Sequence, residues 1–278
     1  NIMIVLWVGR DLPKTIWLYF GFLQNTHVAM DLFFTESWSL PVEEFAYVLG
    51  PLLLYLTLFM KTKISKAKQF LVITLGIIAF FTMTKFIYNL NTETFSMHQW
   101  NKELKAVVLY RIDAIYYGVL AAILSLVKPE LWERRASLLL KIGAALFFAS
   151  QLVFQTVPPE SYAFQSILNL LYLPIISISI ALCLPFLSQL KTTKSFILKP
   201  ITVISIISYS MYLLHYSIVL QVMRQFVVIE AMSTLEKCLL SFAYISVTTI
   251  LAYFLYRFYE KPMMDIRDRP FFRKSIKS

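Results

Sequence analysis

The sequence predicts an all-α fold: a polytopic transmembrane helical bundle with seven to eight spans. Three observations carry this. Hydrophobic residues fill 58% of the 278 positions and charged residues only 15%, whereas soluble domains run near 25% charged. The apolar residues gather into runs long enough to cross a bilayer core of about 30 Å at about 1.5 Å per residue. The basic residues, finally, alternate loop by loop between many and almost none.

Taken in order, residues 1–24 admit two readings. "NIMIVLWV" ends a membrane helix and "LPKTIWLYFGFL" lies at the interface, or 12–24 is a short span of its own. No charged n-region or small-residue cleavage site precedes the first run, so it is not a signal peptide. The expectation is an N-terminally truncated sequence that begins inside a membrane helix. Seven runs of spanning length follow, at about 41–60, 70–88, 104–127, 137–156, 164–189, 201–228 and 238–257. In the first of these, Pro41 suits a helix start, and Glu43 and Glu44 suit its N-terminal dipole. No solenoid-type repeat is visible, and no soluble domain fits in the loops. The basic stretch "RDRPFFRKSIKS" reads as disordered or as lying on anionic lipid. The organisation expected is one membrane domain over 1–262 and a basic cytoplasmic tail over 263–278.

Orientation follows from Lys and Arg. The segments 61–69, 128–136, 190–200 and 257–278 hold 17 of them, and the alternate segments 25–37, 89–103, 157–163 and 229–236 hold 1. The positive-inside rule makes the first set cytoplasmic, together with the C-terminus. This distribution accounts for the net charge of +10. No basic face stands apart from the membrane segments, so nucleic acid is not an expected partner. Cys183 and Cys238 lie in or beside apolar runs without metal-type spacing. They read as buried packing residues without a disulfide, and no metal site is expected.

Ionisable side chains deep in a bilayer need a partner or a wet cavity. Lys85, Lys141 and Arg224 lie near the ends of their runs and can snorkel to the interface. Glu43, Arg111, Asp113 and His215 are harder to accommodate. Arg111 and Asp113, two apart, diverge on a helix, so each needs a partner on another helix or on a ligand. An interhelical ion-pair network that only fixes packing satisfies the same pattern. Ser205, Ser208, Tyr212 and His215, spaced 3, 4 and 3, share one helical face, which implies a bundle interior or a water-filled cavity. At about 1.5 Å per residue, Glu43 lies roughly 3 Å below the outer surface, Arg111 about 10 Å, Asp113 about 13 Å and His215 about 20 Å. Glu260 belongs to the opposite end, where Pro262 is expected to stop the last helix.

Four blocks, in order, resemble acyltransferase family 3, the membrane O-acyltransferases that include O-antigen acetylases. "SWSLPVEEFAYVLGPLLL" is similar to the pattern W-S-L-x-x-E-x-x-F/Y with a following proline, through Trp38, Ser39, Leu40, Glu43 and Pro51; Phe45 and Tyr47 straddle the aromatic position. "YRIDAIYYGVLAA" is similar to R-x-D-x-x-x-x-G through Arg111, Asp113 and Gly118. "ISYSMYLLHYSIV" is similar to S-Y-x-x-Y-L-x-H through Ser208, Tyr209, Tyr212, Leu213 and His215, and "YEKP" to E-[KR]-P through Glu260, Lys261 and Pro262. The resemblance implies about ten helices in a bacterial inner membrane. It implies transfer of an acyl group, often acetyl, from a cytoplasmic acyl-CoA to a sugar hydroxyl of a cell-envelope glycan. No bound cofactor is implied, and acyl-CoA enters as the donor substrate. The candidate catalytic residues are then Glu43, Arg111, Asp113 and His215, the candidate substrate-binding residues Trp38, Ser39, Ser208 and Tyr212, and Glu260, Lys261 and Pro262 a cytoplasmic-end motif. The family's principal base is a histidine in its first helix, eleven residues after an Arg or Lys, followed by a phosphate-handling basic motif after the second helix. Neither pattern occurs in this chain, so the chain is expected to start in the family's third helix and to lack that base. Two other classes remain: a transporter or flippase of sugars or lipids using the same polar column, with Pro174 as its helix break, and an inactive fragment.

Overall fold

The computed structural model of the chain describes residues 2–7, 9, 11–31, 33–59, 64–92, 96–156, 161–190, 195–228 and 232–267. Every regular element among the described residues is helical. The main helices are α1 (Ser39–Leu58), α2 (Lys66–Asn91), α3 (Asp113–Val127), α4 (Ala136–Thr156), α5 (Phe164–Leu187), α6 (Leu198–Phe226) and α7 (Thr234–Arg267). Helix length and composition suffice for membrane crossing in five of these, α2 and α4 to α7. Of the other two expected spans, α1 is a 20-residue helix with two carboxylates near its start. α3 has only 15 residues, about 22 Å of helix against a core of about 30 Å. The N-terminal region forms two short helices, Ile2–Trp7 and Ile16–Phe20, so 12–24 is not one continuous span. Of the basic tail, 268–278 lies outside the described residues.

α2 shows why these helices suit lipid. Its buried side chains are Gln69, Thr74, Ile77, Phe81, Lys85 and Asn89, while Val72, Phe80, Met83, Ile87 and Leu90 are exposed. A water-soluble helix turns its apolar stripe inward. This one turns polar groups inward and apolar ones outward, as lipid-facing helices do.

The chain divides into two compact units. The larger comprises Thr15–Met30 and Trp38–Thr192, and so holds α1 to α5. Its core joins Val42 and Ala46 of α1, Ile77 and Phe81 of α2, and Val108, Ile112 and Tyr116 around the start of α3. α4 and α5 run together through Gly143, where an added Cβ would sit 2.6 Å from the Ser179 carbonyl oxygen. Only glycine permits so close an approach, the small-residue contact typical of membrane helix pairs. The smaller unit comprises Asn1–Lys14, Asp31–Ser37 and Thr193–Ser278, and is built on α6 packed against α7.

The expected helix over 104–127 is broken. Trp100–Lys105 is a π-helical turn, Val108–Tyr110 a 3₁₀ turn, and Arg111 has φ −127° and ψ −15°, outside the helix. The cause lies about 80 residues upstream. The N–H groups of Val108 and Leu109 donate to the carbonyls of Asn25 and Thr26 at 2.9 and 3.1 Å. The Asn25 amide, fully buried, donates to the Ala106 and Trp38 carbonyls at 2.6 and 2.8 Å. Irregular backbone at membrane depth is tolerated where protein supplies its hydrogen bonds, and Asn25 supplies them. The per-residue depths expected for Arg111 and Asp113 therefore do not hold.

Two prolines also act differently from expectation. Pro262 does not stop the last helix, which continues as Lys261–Arg267. A π-helical turn, Tyr256–Glu260, immediately precedes it, and the wider turn displaces the carbonyl that a proline ring would strike. Pro174 follows the π-helical turn Ile167–Tyr172 in the same way. Cys183 and Cys238 are free thiols; Cys183 is half-buried, but Cys238 is exposed, contrary to the burial expected of it. On a helix facing lipid, a small apolar thiol needs no protein cover.

Candidate active site

In the larger unit, two of the expected residues, Arg111 and Asp113, lie at the N-terminus of α3. Asp113 is the first residue of that helix, where the dipole favours a carboxylate. It is 1% exposed and forms an ion pair with Lys85 of α2, which is 0% exposed. Lys85 thus does not snorkel. α2 runs on to Asn91, so Lys85 sits deeper in its helix than a run ending at 88 implies. The partner that Asp113 was expected to need on another helix is this lysine.

Among the described residues Arg111 has no such partner. Its Nη1 is buried without a hydrogen bond, and so is Oδ1 of Asp113. The two side chains make no ion pair with each other, although the Asp113 charge acts on Arg111. Trp38 packs at the rim of the α1–α2–α3 core, with the Lys105 ammonium 6.0 Å from its ring centroid. Ser39 opens α1. Glu43 and Glu44 are both exposed, so burial does not separate them; Glu43 accepts a hydrogen bond from Tyr47 one turn on.

In the smaller unit, α6 carries the serine–tyrosine–histidine stripe. Ser208, Tyr212 and His215 line one groove of about 410 Å³, together with Tyr244 and Thr248 of α7. Three of the four residues of the expected stripe therefore share a surface; Ser205 contributes its carbonyl to the Ser208 hydroxyl. His215 opens the π-helical turn His215–Leu220. Its Nδ1 lies 2.6 Å from the Tyr212 carbonyl oxygen. A carbonyl only accepts, so Nδ1 carries the hydrogen and Nε2 of the neutral ring is left as an acceptor.

That turn is clamped by Glu36, from the 3₁₀ turn Thr35–Trp38. Glu36 is 4% exposed. Its Oε1 accepts from the backbone N–H of Tyr216 at 3.1 Å and of Ser217 at 2.5 Å, and its Oε2 accepts from the Ser217 hydroxyl. The Tyr212 hydroxyl donates to the Glu36 carbonyl at 2.7 Å, and the Thr35 N–H to Ser217 Oγ at 3.2 Å. A lone glutamate among small hydroxyl residues in "FFTESWSL" was the available signal, but the donors it accepts from lie far along the chain. At the other end of α7, Glu260 accepts from the buried Ser210 hydroxyl of α6 at 2.8 Å, and Lys261 and Pro262 are exposed. No group of three or more His, Cys, Asp or Glu residues among the described residues could hold a metal ion.

Compared with known families, residues 2–257 match one described as an acyltransferase domain. No curated protein and no solved structure matches the chain.

Proposed function

Because the chain belongs to acyltransferase family 3, we propose that it is a membrane O-acyltransferase moving an acyl group, acetyl in the first instance, from acyl-CoA to a hydroxyl of a cell-envelope polysaccharide or glycolipid. The observation that carries this is the family match, which runs through nearly all the membrane-length helices of the chain. Nothing in the family or the fold points to a transporter.

Acyl transfer to a hydroxyl forms a C–O bond and breaks the thioester C–S bond. The hydroxyl proton passes through a base to the leaving thiolate, and donors must meet the oxyanion that develops on the carbonyl. Among this chain's residues, the unpaired Arg111 guanidinium suits that oxygen. The second oxygen of Asp113, without a partner, suits a sugar hydroxyl. His215, with Nε2 left as an acceptor, suits a hydroxyl proton. Ser39, Tyr212 and Glu43 are assigned to orienting the acceptor, and the basic loops, taken as cytoplasmic, to drawing in the CoA phosphates. The test uses membranes carrying the full-length gene product, supplied with labelled acetyl-CoA. Label appearing in an envelope glycan supports the reading. No acyl transfer to any envelope glycan, with labelled sugar crossing the membrane instead, overturns it.

A further inference from the structure

Lys85 has no part in the reaction above, yet it is the most deeply buried cation at the α3 N-terminus. Two cations compete there for one carboxylate: Lys85 from α2, and Arg111, two residues before Asp113 in the chain. Arginine is the stronger competitor on chemistry, because its planar fork binds carboxylates through two parallel hydrogen bonds. The structure shows the reverse. Lys85 holds Oδ2 of Asp113, while Oδ1 of Asp113 and Nη1 of Arg111 are each buried without a partner. A cluster serving only packing would join those two atoms, since buried polar groups are hydrogen-bonded wherever geometry allows.

We propose that Lys85 is a positioning residue for Arg111: by taking Asp113 as its own counter-ion, it keeps the Arg111 guanidinium unpaired and available to an anionic oxygen of a ligand. This rests on the acyl-transfer reading only for naming that oxygen as one on the acyl donor. The geometry of the three side chains stands without it. Lys85 acts through Arg111 and does not itself touch the reacting atoms.

The experiment follows Arg111 directly, in the full-length protein in membranes, with the arginine reagent phenylglyoxal and peptide mass spectrometry. Arg111 is half-buried, and a guanidinium that serves a substrate must be reachable, so it labels in the wild type. In Lys85→Met it swings onto Asp113 and labels about tenfold more slowly, as expected of a guanidinium tied into a bidentate carboxylate pair. In the double variant Lys85→Met/Asp113→Asn no carboxylate remains to capture it, and labelling returns. Lys85→Arg keeps a cation on Asp113 and labels like the wild type. Should Lys85→Met fail to fold, the double variant and Lys85→Arg still decide, because both must label at the wild-type rate. Equal labelling of Lys85→Met and wild type overturns the proposal, as does an Arg111 that never labels. Ligand arms separate the sources of the oxygen. Protection by acetyl-CoA supports the acyl donor. Protection by inorganic phosphate alone keeps the assignment of Lys85 and sinks the acyl reading. Protection by neither overturns the anionic ligand.

Discussion

Replacing Glu36 should loosen the smaller unit at one defined place, the π-helical turn that begins with His215. The carboxylate meets three donors, the N–H groups of Tyr216 and Ser217 and the Ser217 hydroxyl, at a site 4% exposed. Glu36→Ala leaves all three without an acceptor. Each orphaned buried donor costs about 1–3 kcal/mol, and the sum is offset in part because a carboxylate no longer has to be desolvated. The net loss expected is about 3–5 kcal/mol. Glu36→Gln keeps one carbonyl oxygen for the two backbone groups, and its amide can donate to Ser217 Oγ, so only the charge is lost and about 1–2 kcal/mol with it. Denaturant titration of the purified protein in mild detergent, followed by tryptophan fluorescence, measures both. The order of the two variants is as informative as their size. An alanine variant within about 0.5 kcal/mol of wild type, the range of an ordinary surface substitution, refutes the clamp. Equal losses for Ala and Gln would refute the acceptor argument and leave only the charge.

Three further predictions test other contacts. Gly143→Ala puts a methyl 2.6 Å from the Ser179 carbonyl oxygen, and should cost about 1–3 kcal/mol as overpacking between α4 and α5; Gly118→Ala, where an added Cβ meets nothing, should be neutral or stabilising by up to about 1 kcal/mol, both read by the same titration. Asn25→Ala and Asn25→Asp both remove the amide that serves the Trp38 and Ala106 carbonyls, and should each cost about 2–4 kcal/mol, with hydrogen exchange rising at Val108 and Leu109. Arg111→Lys keeps the charge but loses the planar fork, and should lower acyl transfer about tenfold or more in the acetyl-CoA assay; unchanged activity would argue against an oxyanion clamp there.

Much of the candidate site on α6 was legible, because it depends on local spacing. Ser208, Tyr212 and His215 recur at helical intervals, and an α-helix brings such positions to one face whatever surrounds it; they do line one groove. The need of Asp113 for a partner was legible too, from the cost of a charge in lipid. The identity of that partner was not. Lys85 looks like any lysine near the end of an apolar run, and nothing local distinguishes one that snorkels from one that turns inward.

The sequence by itself determined that the chain is a helical membrane protein, since composition, run length and loop charge need no knowledge of who touches whom. It also determined the family, which the match over residues 2–257 bears out; three of the four blocks lie inside that match, and Glu260–Pro262 lies beyond it. The tertiary structure decided where the helices break and which charges are used. The break between Ala106 and Ile112 exists because Asn25 and Thr26 supply its hydrogen bonds from 81 residues upstream, and the turn at His215 is held by Glu36 from 181 residues away. Hydrophobic periodicity reports only neighbours within a turn or two. A backbone group or a buried charge accepts any partner that reaches it, and only the folded chain settles which one does.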